Sequence, residues 1–149
     1  MLKKDLTTSY PRSAKEKLLG VVQLARAIDK GAAFANGTQG EYNYDCPLDR
    51  AVFALLDIDG DKLLDVIKNA QSEADVVTYV KPFVEKKSPA EIEAFNKAFL
   101  ARKPEPGSDS EAYFLELRGQ VAPDRTDVTT WADLLDLDEK RDVPKRVAA

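Results

Sequence analysis

Five short stretches of this sequence are built to start helices, and they constrain the fold more than any other feature. Ser13-Ala14-Lys15-Glu16, Ser88-Pro89-Ala90-Glu91 and Ser108-Asp109-Ser110-Glu111 have the capping-box pattern. In that pattern the serine hydroxyl accepts from a first-turn amide and the glutamate reaches back to the serine N–H. Pro89 strengthens the second, because proline at the first helical position gives up an N–H that has no partner there. Ser72-Glu73-Ala74-Asp75 and Thr130-Trp131-Ala132-Asp133 are the aspartate variants. One such tetrapeptide arises by chance. Five, most of them followed by apolar residues at helical spacing, predict a mainly α chain. The expectation is a compact single domain over residues 5–140 with about six or seven helices, and a flexible tail over 141–149.

The first helix is predicted from Ala14 to Lys30, with Leu18, Val21, Val22, Ala25 and Ile28 on its apolar stripe and Gly31 as the left-handed residue that ends it. Gly20 lies inside it, which suggests a close helix crossing rather than good propensity. Pro47 opens a second helix that buries Leu48, Val52, Leu55 and Leu56. Asp59 caps a third, with Ile58 and Leu63 placed as a hydrophobic staple. A fourth follows Ser72. Its Val76, Val77, Thr78 and Val80 are β-branched, so a strand competes there, and Pro82 is expected to end or kink the element. Further helices are expected from Pro89 to about Arg102, from Ser108 to about Gly119 and after Thr130.

Residues 32–46, AAFANGTQGEYNYDC, break this pattern. Asn36-Gly37, a second glycine at 40 and the alternation Glu41-Tyr42-Asn43-Tyr44 suggest a small β-hairpin near residues 33–44. An irregular segment on a rigid helical scaffold is a common place for function.

Composition removes several kinds of chemistry. The 149 residues include no histidine and one cysteine. Imidazole-activated serine or cysteine nucleophiles are therefore excluded, as are histidine-ligated metals, CxxC redox pairs and cysteine-rich clusters. No metal or cofactor is expected. A net charge of −4 argues against a generic nucleic-acid surface. No stretch approaches the ~18–20 apolar residues of a membrane span, and MLKKDLTTSYPRS has no apolar run. A cytoplasmic location, where an unpaired thiol stays reduced, is expected.

Several local patterns have ordinary structural explanations. Asp57-Ile58-Asp59-Gly60-Asp61 resembles a calcium loop but fails on register: Gly60 at the sixth position puts Leu55 at the first and Val66 at the twelfth. Gly37-Thr38-Gln39-Gly40 lacks the Lys-Ser/Thr of a phosphate loop and suits a turn. Phe95 and Phe99 suit a core face. Cys46 is harder to assign. Next to Pro47 it sits at a helix N-terminus, which favours a thiolate, whereas Asp45 and Asp49 oppose one. It is expected as a buried structural thiol packed against the first helix. Arg26, Asp29 and Lys30 cluster at the end of that helix. Arg26 and Asp29 can pair, or Arg26 can line a pocket with residues 41–49 and fork an anion.

Asp5-Leu6-Thr7 with Pro11-Arg12-Ser13, Arg26-Ala27-Ile28-Asp29-Lys30-Gly31, the run from Gly40-Glu41-Tyr42 to Cys46-Pro47-Leu48-Asp49, and Arg125-Thr126-Asp127 with Trp131 together carry a likeness. Through them the chain resembles a bacterial family, domain of unknown function 5069, over roughly residues 5–140. The resemblance implies a small bacterial cytosolic protein and singles out residues 26–49. It implies no reaction.

The functional expectation is a binding or interaction domain with a polar site at Arg26, Asp29, Glu41, Tyr42, Tyr44 and Asp49, taking a small anionic ligand or a protein partner, without nucleic acid or membrane. The alternative is a small enzyme using Glu41 and Asp49 as acid and base, a tyrosine as proton donor, or the thiol of Cys46. Self-association through Tyr113 and Trp131 is a third possibility, against the simpler packing of Trp131 on its own core.

Overall fold

The structure is a computed structural model that describes residues 2–147. It is mainly α, as the helix starts predict, with seven helices among the described residues and one two-stranded antiparallel hairpin. The hairpin joins β1 (Lys17–Leu18) to β2 (Val21–Val22), and the helices are α1 (Leu24–Asn36), α2 (Pro47–Leu56), α3 (Gly60–Asn69), α4 (Glu73–Glu85), α5 (Pro89–Leu100), α6 (Asp109–Val121) and α7 (Trp131–Asp138). The chain forms two compact units that divide between Asn96 and Lys97, inside α5.

In the first unit α1 packs on α3 and α2, and α3 packs on α4. Leu24, Ile28, Val52, Leu56, Leu63, Ile67, Val76 and Val80 make its core. The Asp59 cap is formed: its carboxylate accepts from the amides of Asp61 at 2.9 Å and Lys62 at 3.1 Å. The start of α1 is where sequence and structure part. Ser13 begins a single turn, its hydroxyl accepting from the Lys15 amide and its carbonyl from the Glu16 amide, both at 3.1 Å. The chain then enters the hairpin, with Leu18 opposite Val21 and Lys17 opposite Val22. Leu19 and Gly20 turn it with φ of 53° and 78°, the two left-handed central residues of a tight hairpin turn. Leu18, Val21, Val22 and Ala25 satisfy a helical period as well as a hairpin followed by a helix, and Gly20 was the residue that separated the two. Asn96 clamps the turn, accepting from the Val22 amide at 3.1 Å and donating to the Gly20 carbonyl at 2.9 Å.

The hairpin therefore lies at residues 17–22 and not at 33–44. Residues 33–36 are the last turn of α1, which runs through Gly31 and ends at Gly37, whose φ of 71° makes the left-handed cap. Gly31 is needed for close approach instead: a Cβ there would lie 2.8 Å from Ile67 Cδ1 and 3.0 Å from the Tyr44 ring. α4 is a helix despite its β-branched run, and it continues past Pro82 to Glu85. Val76, Val80 and Val84 form one buried stripe, and their burial outweighs the backbone bond that Pro82 removes.

Three of the caps that open α5, α6 and α7 are formed as read. Ser88 Oγ accepts from the Glu91 amide at 3.1 Å while Glu91 accepts from the Ser88 amide at 3.3 Å, a complete capping box. Ser108 and Thr130 accept from the amides of Glu111 and Asp133 at 3.1 and 3.4 Å. In the second unit α6 packs on α7, and Phe114, Val128, Leu134 and Val143 form its core. Trp131 lies edge-on to Phe114, with ring centroids 5.0 Å apart, and stacks on the exposed Tyr113. Of the expected flexible tail, residues 148–149 lie outside the described residues; within 141–147, Val143 is buried, and the Arg125 guanidinium donates to the carbonyls of Val143 and Pro144 at 3.0 and 3.1 Å. Arg146 completes the return with a two-point pair to Asp133 at 2.8 and 2.9 Å.

Candidate functional site

Every residue from Val21 to Lys30 is buried, including Gln23, Arg26, Asp29 and Lys30. A helix hydrophobic on all sides can be buried cheaply, but four polar side chains in one such stretch each need a partner. Their partners organise the site into two groups.

The first group faces α2. Asp49, in the first turn of α2, is 0% exposed. Its carboxylate holds three donors: Lys30 Nζ at 2.9 Å, Gln23 Nε2 at 2.9 Å and the Asp45 amide at 3.1 Å. Lys30 Nζ also approaches Cys46 Sγ at 3.1 Å. Asp49 thus joins α1, α2 and the end of the loop at one point. Its place in the first turn also suits the helix dipole. Gln23, left-handed at φ 68°, precedes the first turn of α1 and turns its side chain inward. Its Nε2 is satisfied by Asp49, whereas its Oε1 is buried without a partner. Cys46, expected to be buried, is only half-buried: it is the extended residue before α2, as Pro47 requires, and lies at the edge where the loop meets solvent.

The second group faces the N-terminal segment. Asp29 accepts from Arg12 three times, from its amide at 2.8 Å, Nε at 3.1 Å and Nη2 at 3.0 Å. Arg12 also pairs with Glu73 at the start of α4. Burial disfavours the charged Arg12, but Asp29 and Glu73 outweigh it and hold the guanidinium above its ordinary range. Arg26 Nη1 donates to the Arg12 carbonyl at 3.2 Å, and its guanidinium lies 5.6 Å from the centre of the Tyr42 ring.

Tyr44 connects the loop to the core. Its hydroxyl donates to the Gly60 carbonyl at 2.8 Å, and its ring lies 5.9 Å from Phe53 and 6.5 Å from Phe34. Burial, then the charges of Asp49 and Asp45, push its phenol well above its ordinary value of 10.0. A group whose folded pKa is raised contributes stability that is complete below its unfolded pKa and is lost above it. The first unit should therefore lose stability as pH rises past about 10. Tyr44→Phe should cost about 1 kcal/mol at pH 7, for the hydrogen bond to Gly60, and should flatten the alkaline loss. Urea unfolding of both proteins between neutral and strongly alkaline pH measures the difference. Parallel alkaline slopes would contradict the assignment.

Of the residues singled out by sequence, Arg26, Asp29 and Asp49 are buried, Tyr42 and Tyr44 are half-buried and Glu41 is exposed. Asp49 and Tyr44 meet the same loop end, Arg26 meets Tyr42, and Glu41 stands apart on the surface. Arg12, Gln23 and Glu73 are participants that the sequence did not identify as such. Arg12 had a signal, as part of Pro11-Arg12-Ser13. Gln23 had none, because a helix begun at Ala14 hides its place at a helix start. A shallow hollow of about 360 Å³ in the first unit lies elsewhere, lined by Asp65, Val66, Asn69, Ala70 and Asp75. Among the described residues no group of three or more acidic or cysteine side chains is placed to hold a metal, and no helix is long and apolar enough to cross a membrane.

A family described as domain of unknown function (DUF5069) matches residues 8–141. No curated protein matches the chain.

Proposed function

We propose, for a chain that belongs to the DUF5069 family, a binding role and not a catalytic one, in which the loop of residues 37–46 meets a protein partner and the buried charges of α1 hold that loop in shape. The observation that carries this reading is the pairing of two cations of the cluster with carboxylates. Lys30 is matched by Asp49, and Arg12 by Asp29 and Glu73. A small anion would have to displace a carboxylate at either place, so a protein partner is better supported than a small anionic ligand. The loop itself offers exposed Glu41 and Asn43 and half-exposed Tyr42, and Phe34 beside it is 46% exposed. Aromatic side chains with a polar surround are the usual make-up of an interface.

An acid/base pair has less support. Glu41 is exposed, whereas Asp49 is fully buried with its oxygens already engaged. The unpaired thiol of Cys46 and the sequence likeness support placing the protein in the bacterial cytoplasm.

Glu41→Lys and Asn43→Arg alter exposed positions and should change stability by no more than about 0.5 kcal/mol. Cross-linking mass spectrometry in cell extract should find one partner joined to residues 37–46 of the wild type. Both variants should lose it. A metabolite screen by thermal shift provides the opposing outcome. A ligand at a hundred times its dissociation constant adds about 2.7 kcal/mol. Such a shift, with no partner cross-linked through the loop, would overturn the reading.

A further inference from the structure

Beneath the loop, a thiol and a primary amine are already in contact. Lys30 Nζ lies 3.1 Å from Cys46 Sγ and 2.9 Å from Asp49 Oδ2, and the lysine side chain is 6% exposed. Cys46 is half-buried, whereas the Lys30 side chain is nearly closed off from solvent. An independent feature marks the same cluster. The carboxamide of fully buried Gln23 donates to Asp49 Oδ1 at 2.9 Å through Nε2, and its Oε1 is a buried acceptor with no donor. A buried carbonyl without a donor is costly, and a hydroxylic molecule beside it would supply one. Hydrogen peroxide is a molecule of that kind, and a thiol is its natural target.

We propose that Cys46 and Lys30 form an oxidative modification site, at which peroxide converts the thiol–amine contact into a covalent sulfur–nitrogen link between the residue that precedes α2 and α1. In the first step the sulfur attacks one peroxide oxygen. The O–O bond breaks, Cys46 becomes the sulfenic acid and water leaves. In the second step the Lys30 ammonium gives a proton to the Asp49 carboxylate, and the amine nitrogen attacks the sulfur. The S–O bond breaks and the hydroxyl leaves as water with a second amine proton. The product is a sulfenamide, and the protein has lost two hydrogens overall while peroxide has been reduced to two waters. Sulfenic acids condense in this way with a nitrogen held against them. Two equivalents of a small thiol reverse the link, regenerating thiol and amine and leaving a disulfide of the small thiol.

The position gives the link a consequence. Lys30 and Cys46 bound the segment that contains the end of α1 and the loop that follows it. A covalent tie between them closes that segment into a ring and restricts the loop through the unfolded state as well as the folded one. This inference does not depend on the loop binding a partner.

The test uses the full chain in its native state. It is treated with hydrogen peroxide, denatured, alkylated and digested without reductant, then read by mass spectrometry. The expected product joins the peptide of Lys30 to the peptide of Cys46, lighter by two hydrogens than their sum. It should vanish after dithiothreitol and fail to form when peroxide is added to the chain in concentrated urea. Lys30→Arg keeps the charge toward Asp49 and removes the amine, and its Cys46 should pass on to sulfinic acid. If that variant fails to fold, the comparison of native and urea-treated wild type decides alone. The proposal is overturned if native Cys46 is alkylated as a free thiol, runs to sulfinic acid with Lys30 unlinked, or pairs with a second chain. Equal cross-linking in urea would overturn it too.

Discussion

Asp49→Ala is expected to cost about 3–5 kcal/mol, the usual loss when one member of a buried ion pair is removed. The large value follows from what remains. Lys30 would keep a buried charge, Gln23 Nε2 would lose its acceptor and the Asp45 amide would lose the bond that ends the loop. The attraction itself is not the source, because desolvating both charges offsets most of it. The double variant Asp49→Leu with Lys30→Met should therefore be more stable than Asp49→Ala, since it leaves no orphaned charge. Urea unfolding followed by circular dichroism gives both values. An Asp49→Ala protein within about 0.5 kcal/mol of wild type would mean that Lys30 escapes to water and the pair is not a tie.

The second large effect belongs to the other unit. Phe114→Ala should cost about 3–5 kcal/mol, from lost transfer energy and the cavity left behind. Phe114 is 2% exposed and packs with Val128, Leu134 and Val143. Its edge-on contact with Trp131 adds a specific aromatic term. The chain has one tryptophan, so its fluorescence reports this unit alone. Phe114→Ala should shift the tryptophan transition to lower urea. An unchanged transition would mean that the cluster does not hold α6 and α7 together.

The helices were legible because their starts are local. Ser88, Ser108 and Thr130 need only the next three or four residues to cap, and Asp59 needs the same. The hairpin was not legible at its true place, because Leu18, Val21 and Val22 fit both periods and the deciding contact, Asn96 on Gly20 and Val22, comes from far along the chain. Gly31 shows the same limit. Its role is to admit Tyr44 and Ile67 against α1, which no pattern near residue 31 records. The candidate site was half legible. Asp49 and Arg26 stood out beside an irregular segment, whereas Arg12 and Gln23 enter through packing across the fold.

If the buried charges of α1 and α2 fix the loop of residues 37–46, the amide of Asp45 reports it most directly, because it donates to Asp49 Oδ2 at 3.1 Å. Amide hydrogen exchange, followed residue by residue in the wild type and in Asp49→Asn, makes the test. The Asp45 amide should be protected in the wild type and should lose roughly tenfold or more of that protection in the variant, while the amides of α6 and α7 keep theirs. Exchange of the wild-type Asp45 amide at the rate of an unfolded chain, or the same protection in both proteins, would contradict the account.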